Sequence, residues 1–440
     1  MPPNILYIHS HDTGRYVQPY GFQVPTPNIQ MLADQGVLFR QAFSVAPTCS
    51  GSRASLLTGQ YCHDNGMLGL AHRGWSLNDY SKHWVHTLRA AGYRSVLIGE
   101  QHIATDPSVI GFDRIVDVDS HRAEAVAPTT IEVLHEQPDG PWFMSVGFFE
   151  THRSFFEPSS VRDRVYSLPP PFLPDTPEIR EDVAAYKASA RSLDHGVGSV
   201  LNALHQTRLD ERTLVIFTTD HGLAFPTAKA SLLDRGIGVS LILRGPGFAG
   251  GRAMDELVSQ IDIFPTVCDV AGIPTPPWAI GHSLVPLLEG REEPGNRSEI
   301  FAELTYHAAY EPQRAIRTER YKYVRRFDDY PYPVLPNCDD SPSKDAYLAR
   351  GWAERPVARE SLHDLFFNPG EGRNLVGNDD YAHVLADLRE RLHQWMVDTD
   401  DPLLRGPVVP PVGARINSQS QRSAEERTHV ISEAGAPIPR

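Results

Sequence analysis

The residues best suited to chemistry stand in five short clusters. Pro47-Thr48-Cys49-Ser50-Gly51-Ser52-Arg53 runs into Ala54-Ser55-Leu56-Leu57-Thr58. The Ser/Ala/Leu content reads as the start of a helix, with Cys49 at its positive end and Arg53 one turn later on the same face. That setting suits an anion and is expected to lower a thiol pKa. The other four clusters each close an apolar run: His9-Ser10-His11-Asp12, Gly99-Glu100-Gln101-His102, Glu150-Thr151-His152-Arg153 and Asp220-His221-Gly222. A single Asp or His after a strand is ordinarily a turn residue or a satisfied polar group. The same placement four times over points to a shared ion or catalytic site. Asp12 and Asp220 offer hard oxygen ligands, and His11 and His221 offer nitrogen. An all-oxygen set favours Ca²⁺ or Mg²⁺, whereas imidazole shifts the preference toward Mn²⁺, Fe or Zn²⁺. Cys62, Cys268 and Cys338 have no comparable surroundings and read as structural.

These clusters need strand ends to hold them. Asn4-Ile5-Leu6-Tyr7-Ile8-His9 reads as a buried strand. Thr26 as N-cap and Pro27 at the first position open a helix that Gly36 stops. Residues 82–91 read as a helix ending at Gly92, and strands are expected at 94–99, 142–148, 213–219 and 239–243, with helical periodicity over 179–207. Short, continuous apolar strands separated by helices imply an α/β fold whose mainly parallel sheet is sandwiched by helices. In such sheets the ligand site lies beyond the carboxyl ends of the strands, where the four polar clusters fall. Asp194-His195 lies inside the helical pattern and reads as a solvated or packing pair.

After about residue 295 the texture changes. Aromatics, Arg and Pro become frequent, as in Arg314-Ala315-Ile316-Arg317-Thr318-Glu319-Arg320-Tyr321. This reads as a smaller antiparallel-sheet domain closed by a helix near 381–397. The expected organisation is a catalytic α/β domain over 1–295, an α+β domain over 296–401, and an extended or mobile tail over 402–440, rich in Pro, Gly, Ser and Arg.

Composition sets outer bounds. Across 440 residues, 41 Lys and Arg stand against 55 Asp and Glu, a net charge of −14. With 41% hydrophobic and 22% charged residues, global disorder is excluded. The acidic balance argues against a nucleic-acid-wrapping protein but not against an anionic substrate, since local cations and a metal override net charge. No stretch approaches the length of a membrane helix. Four cysteines make no disulfide framework. With no basic, apolar leader at Met1, a cytoplasmic location is expected.

The run Cys49-Ser50-Gly51-Ser52-Arg53-Ala54-Ser55-Leu56-Leu57-Thr58-Gly59 resembles the signature of the sulfatase family of the alkaline phosphatase superfamily. The opening segment through His11-Asp12 and the segment Thr218-Thr219-Asp220-His221-Gly222 fall in the family's order. Within the family the chain looks most like the heparan N-sulfatase (sulfamidase) branch, over most of the first 300 residues. The resemblance implies an alkaline-phosphatase-like domain plus a small C-terminal antiparallel sheet. It implies that a formylglycine-generating enzyme oxidises Cys49 to formylglycine, whose hydrate carries two hydroxyls on one carbon. One attacks sulfur and the other later expels sulfate. It further implies one divalent metal, Ca²⁺ by family habit, held by position 49, Asp12, Asp220 and His221, with His11 where the family usually has Asp. Arg53 would orient the nucleophile, Lys229 would contact the sulfuryl oxygens, His152 would bind the sulfuryl group or protonate the leaving group, and His102 would serve as base.

Three departures stand out. Gly51 replaces the usual Pro or Ala and touches the motif that the maturation enzyme reads. His11 opens the site to Mn²⁺ or another transition metal, and the resulting set resembles that of phosphonate monoester hydrolases. Glu100 or Gln101 replaces a Lys common before the family's His. The substrate expected is a small sulfated molecule, a sugar or aryl sulfate or sulfamate. A phosphonate monoester or phosphodiester hydrolase is the alternative, and a non-catalytic binding protein is a third. Secondary candidates are His63, Asp64 and Asn65 at the pocket rim, His72 and Arg73 toward substrate, and Glu303 and His307 from the second domain; a structural role is favoured for each. The tail offers a surface for a homo-oligomer.

Overall fold

The computed structural model describes all residues except Met1, 137–139, 159, 291–296 and 433–440. Eight strands form the main sheet: β1 (Asn4–Ser10), β2 (Val37–Phe43), β3 (Arg94–Gly99), β4 (Arg114–Val116), β5 (Trp142–Gly147), β6 (Thr213–Thr219), β7 (Leu241–Arg244) and β8 (Arg252–Ser259). Their order is β4-β3-β5-β1-β6-β7-β2-β8. β7 alone among them runs antiparallel to its neighbours; the other pairings are parallel.

Continuous apolar strands follow from burial on both faces. Ile5 and Tyr7 face a layer built with helices Cys49–Thr58, Trp84–Ala90 and Ile263–Ala271. Leu6 and Ile8 face the opposite layer, with helices Pro27–Gln35, Ala123–His135 and Pro177–Gln206. Neither face meets water, so alternation disappears from the sequence although the side chains still alternate in space.

Two expected helix details change. The Thr26 hydroxyl does not cap the helix after it: it donates to the Val24 carbonyl. The cap comes from Asp194 on the long helix, whose carboxylate accepts from the Asn28 and Ile29 amides at 3.0 and 2.9 Å. Asp194 is thus a buried cap reached across the fold. The helix expected over 82–91 is Trp84–Ala90, entered through a 3₁₀ turn at Tyr80–Lys82.

A second sheet, with order β12-β11-β10-β9, is antiparallel: β9 (Glu299–Tyr306), β10 (Tyr310–Thr318), β11 (Tyr321–Arg326) and β12 (Glu360–Asp364). The domain boundary expected at 295/296 lies outside the described residues. Helix Ala382–Asp398 covers this sheet through Leu385, Leu388, Leu392 and Trp395. Ile300, Ala302 and Leu304 of β9 pack against Phe43, Leu232 and Ile237 of the first domain.

The tail corrects the expectation of mobility. The short strands β13 (Arg415–Ile416) and β14 (His429–Val430) pair with each other. Ala414, Ile416 and Ile431 are buried beside Trp75 and Tyr306 of the main core. Arg73 donates to Asn417 Oδ1 at 2.8 Å and to the Ala424 carbonyl at 3.3 Å. A polar composition hid three apolar anchors, so this segment through residue 432 docks on its own chain.

Candidate active site

Every residue of the Cys49–Thr58 helix is buried, and its polar side chains tie strand ends together. Ser50 Oγ donates to the His102 carbonyl at 2.6 Å. Ser52 Oγ donates to the Asp220 carbonyl and to Gln260 Oε1. Arg53 reaches His9 Nδ1, the Ser10 carbonyl at 3.0 Å and Asp220 Oδ2 at 3.0 Å. At Gly51 a Cβ would lie 3.1 Å from Cys62 Sγ and 3.2 Å from Ala46 Cβ. A side chain there would have to push these neighbours back by a few tenths of an ångström, and Cys62, also within 3.3 Å of Ser55 Oγ, packs behind the helix.

The ends of β1 and β6 converge on Cys49. Ligand-competent atoms of His11, Asp12, Cys49 and Asp220 all lie within 4.8 Å of one another and are buried. Cys49 Sγ is 3.3 Å from His221 Nε2 and 4.0 Å from Asp12 Oδ1. His221 Nδ1 faces the Gly222 carbonyl at 3.0 Å, an acceptor, so Nδ1 carries a proton and Nε2 is the nitrogen turned toward Cys49 Sγ and toward Asp12 Oδ1, 3.2 Å away. Neither ring nitrogen of His11 makes a well-formed hydrogen bond, although the residue is 2% exposed; Nε2 stands 3.2 Å from Asp220 Oδ2 and Nδ1 has no partner. Burial holds His11 well below the usual histidine range, and His152, Arg53, His102 and Lys229 add to this. A buried neutral imidazole with no well-formed hydrogen bond, beside two carboxylates, fits a cation. Asp220 lies far below the ordinary carboxylate range: burial opposes its charge, but His221 and Arg53 outweigh burial.

Cys49 departs from the expected lowered pKa. Burial pushes its thiol far up; Lys229 opposes this, while Asp12 and Asp220 reinforce it. The positive helix end cannot compete with complete desolvation beside two anions.

Beyond the cation-binding cluster stand the groups for anion and proton. Lys229 Nζ bridges Asp12 Oδ2 at 2.9 Å and Asp339 Oδ2 at 3.0 Å, with His152 Nε2 at 3.4 Å. Burial disfavours the ammonium, but Asp12 and Asp339 hold its pKa well above the usual lysine value. His152 Nδ1 faces the Arg153 carbonyl at 2.6 Å, leaving Nε2 toward Lys229. His102 lies beside the cluster with Nδ1 unpartnered and Nε2 2.8 Å from His72 Nδ1. Burial lowers its pKa to about 3, against the opposing pull of Glu100. Asp12 (φ 56°) and His102 (φ 55°) occupy the left-handed region, as do Thr227 and Ala230 beside Lys229. Such conformations in non-glycine residues cluster where a fold positions a functional group.

All nine expected site residues, His11, Asp12, Cys49, Arg53, His102, His152, Asp220, His221 and Lys229, therefore belong to one connected group. Glu100 and Gln101 turn elsewhere, Glu100 to His121 at 2.9 Å and Gln101 to the Ala104 carbonyl. Asp339 and Gln260 were not anticipated, and His9, part of the first strand-end cluster, was given no role. Asp339 lies in a different domain from Lys229, and nothing local to it marks it. Of the secondary candidates, His63 and Glu303 form a buried pair at 3.0 Å, and Glu303 also accepts from the Cys62 amide and lies 3.3 Å from Arg314. Asn65 closes its own turn onto the Met67 amide, and the Asp64 carbonyl accepts from Asn78 Nδ2. His72 stacks on His102, and Arg73 pins the tail. His307 is 6% exposed with Nδ1 unpartnered, near Lys229 and Asp339.

A helix-borne Cys–Arg pair, a buried cation-binding cluster and an adjoining Lys–His pair at the carboxyl ends of an α/β sheet define a hydrolase of sulfuric or phosphoric esters. The chain belongs to the sulfatase family, whose model matches residues 3–273, and is a sulfuric ester hydrolase. A second model, "N-sulphoglucosamine sulphohydrolase, C-terminal", matches residues 226–345. Human N-sulphoglucosamine sulphohydrolase is 30% identical, with 92% of each chain covered. Among solved structures, a complex with D-glucosamine-2-N,6-O-disulfate as its substrate superposes with a TM-score of 0.73 at 17% identity, covering 92% of this chain and 99% of the other. The phosphonate monoester hydrolase of Agrobacterium radiobacter gives 0.67 at 22% identity, covering 93% and 98%. These two show the shared fold. Among the described residues no helix is long and apolar enough to cross a membrane.

Proposed function

We propose that the protein hydrolyses an N-sulfated amino sugar, a sulfamate, with formylglycine at position 49 as nucleophile and one divalent metal held by His11, Asp12, Asp220, His221 and position 49. The supporting observation is the buried cluster around Cys49, in which His11 Nε2 stands 3.2 Å from Asp220 Oδ2 and Nδ1 has no partner. When bound, the metal would lower the pKa of a hydroxyl at position 49 and polarise a sulfuryl oxygen. Two imidazoles beside two carboxylates favour Mn²⁺ or another transition ion over Ca²⁺.

The chain's own groups divide the remaining work. Arg53 fixes Asp220 and the helix carrying position 49. Lys229 neutralises the sulfuryl oxygens as charge builds on them. His152, its Nδ1–H held by the Arg153 carbonyl, presents Nε2 to the leaving nitrogen; with the ring protonated at both nitrogens it gives up the Nε2 proton that the departing amine requires and is left neutral. His102, neutral at any pH well above 3, accepts a proton from position 49 when sulfate leaves. A desolvated, fully protonated thiol is a poor nucleophile, which agrees with an oxidised side chain doing the attack.

The human relative's name and the family match to its C-terminal region support the amino-sugar reading. His221 beside Asp220 favours the alternative, a phosphonate monoester hydrolase. The test is turnover of glucosamine N-sulfate, 4-nitrophenyl sulfate and a phenyl phosphonate monoester, with peptide mass spectrometry across Cys49 and metal analysis. The expected result is formylglycine, one metal per chain, the highest kcat/KM on the N-sulfate, and a loss of at least about 10³-fold in kcat for Cys49→Ala. Highest kcat/KM on the phosphonate would select the alternative. An unmodified thiol with full activity would defeat the nucleophile assignment.

A further inference from the structure

A groove of about 1040 Å³ opens between the two domains, and none of the nine site residues lines it. Arg15 and Arg235 do line it, and neither comes within ion-pair distance of a carboxylate among the described residues. Arg15 Nη1 donates only to the Arg40 carbonyl, and Arg235 only to the carbonyls of Thr227 and Gly370. Around them, Arg317 and Lys322 share Asp234, and Lys322 also meets Glu371 at 3.1 Å. The groove is lined by five arginines, Arg15, Arg40, Arg235, Arg317 and Arg320, against three carboxylates, Asp234, Glu319 and Glu371, in a chain of net charge −14; Arg40 and Arg320 pair with Asp255 and Asp364 outside it. Part-buried guanidinium groups with no carboxylate in direct contact favour an anion.

The fold makes room for this arrangement. Arg15 lies over the Phe43 ring at 4.4 Å. At Gly238, whose φ of −71° any residue adopts, a Cβ would stand 2.4 Å from Arg15 Nη2. The same Cβ would stand 2.6 Å from the Asp234 carbonyl, so glycine there leaves space both for the guanidinium and for the backbone of the preceding turn. Aromatic surface lines the same groove: Tyr16, Phe172 beneath Arg235 at 5.5 Å, and Phe366, which is 76% exposed. The groove also touches the catalytic frame, since Arg15 follows Asp12 by three residues and Arg235 holds the carbonyl two residues before Lys229.

We propose that this groove is a second, non-catalytic site for an acidic saccharide, with its carboxylate or sulfate groups on Arg15 and Arg235 and its sugar faces against Tyr16, Phe172 and Phe366. The saccharide part rests on the amino-sugar reading above, whereas the anion part rests on the arginines. An acidic peptide would satisfy the charges but would leave the flat aromatic faces without a matching ring.

The experiment titrates a size-defined heparin tetrasaccharide calorimetrically into the full chain carrying Cys49→Ala, alone and combined with Arg15→Gln or Phe366→Ala. Arg15→Gln is expected to weaken binding about tenfold or more and Phe366→Ala several-fold. In the active enzyme, both substitutions leave glucosamine N-sulfate turnover within about twofold of wild type. Unchanged affinity in both variants overturns the proposal, as does a polyglutamate peptide that binds as tightly as the tetrasaccharide. Should Arg15→Gln fail to fold, Phe366→Ala, a change to an exposed ring, decides alone. Absence of glucosamine N-sulfate turnover would count against the amino-sugar reading only, because tetrasaccharide binding is measured without it.

Discussion

At Cys49 burial, aided by Asp12 and Asp220, outweighs the opposing pull of Lys229 and Arg53. The same contest runs at Lys229 with the opposite outcome, because Asp12 and Asp339 supply two carboxylates within 3.0 Å. If position 49, Asp12 and Asp220 take up a cation, Asp339 becomes the principal counter-charge to Lys229. Asp339→Asn is therefore expected to lower kcat/KM on the preferred sulfated substrate roughly 10–100-fold, less than Lys229→Ala, in steady-state assays. An effect of Asp339→Asn larger than that of Lys229→Ala would show that Asp339 acts on something other than the lysine. Metal removal is expected to abolish activity, with Mn²⁺ restoring it better than Ca²⁺ in dialysed enzyme, because His11 and His221 offer nitrogen.

At the scale of elements, the two domains are joined through β9 and the turn after the signature helix. Glu303 on β9 accepts from the Cys62 amide at 2.7 Å and pairs with His63. Burial opposes the Glu303 charge, but His63 and Arg314 outweigh this and hold it at about 2. Burial likewise opposes a charged His63, and Glu303 raises its pKa above the ordinary 6.5. The depressed Glu303 stabilises the fold above its ordinary 4.5, and this is lost as pH falls toward 2. The raised His63 stabilises below 6.5, and this is lost as pH rises through its folded value. The pair is thus strongest between about pH 4.5 and 6.5. Glu303→Gln leaves His63 and part of Arg314 uncompensated and is expected to cost about 3 kcal/mol. The deficit in thermal midpoint against wild type should peak in that pH window; a pH-independent deficit would refute the charge origin. Asp194→Ala is expected to cost about 1–2 kcal/mol in denaturant unfolding, since it strips the cap from Asn28 and Ile29.

For the whole molecule, the tail behaves as part of the core. Ile416 is fully buried beside Trp75, so Ile416→Ala is expected to cost about 2–5 kcal/mol by equilibrium unfolding with tryptophan fluorescence. A cost below about 0.5 kcal/mol would mean that the segment is held only at its surface. The architecture also explains why a strongly acidic protein can act on anions. The site draws its cations from separate elements: Arg53 from the signature helix and Lys229 from the loop after β6. Local field, not net charge, governs what enters.

The sequence by itself determined the strand ends and the signature helix. Apolar runs followed by His, Asp and Glu are local patterns, and the sheet topology carries their ends to one side. It also carried the family resemblance, because Ser50, Ser52 and Arg53 stand at fixed spacing on one helix and tie it to the ends of three strands, at His102, Asp220 and Ser10. Only the tertiary structure decided that Asp339 partners Lys229, that Asp194 rather than Thr26 caps the first helix, and that a Pro- and Ser-rich tail buries Ile416. It also reversed the expected shift of the Cys49 thiol. The physical reason is the same in each case. Partners distant in sequence carry no local period or motif, and desolvation depends on what packs around a group rather than on its neighbours along the chain.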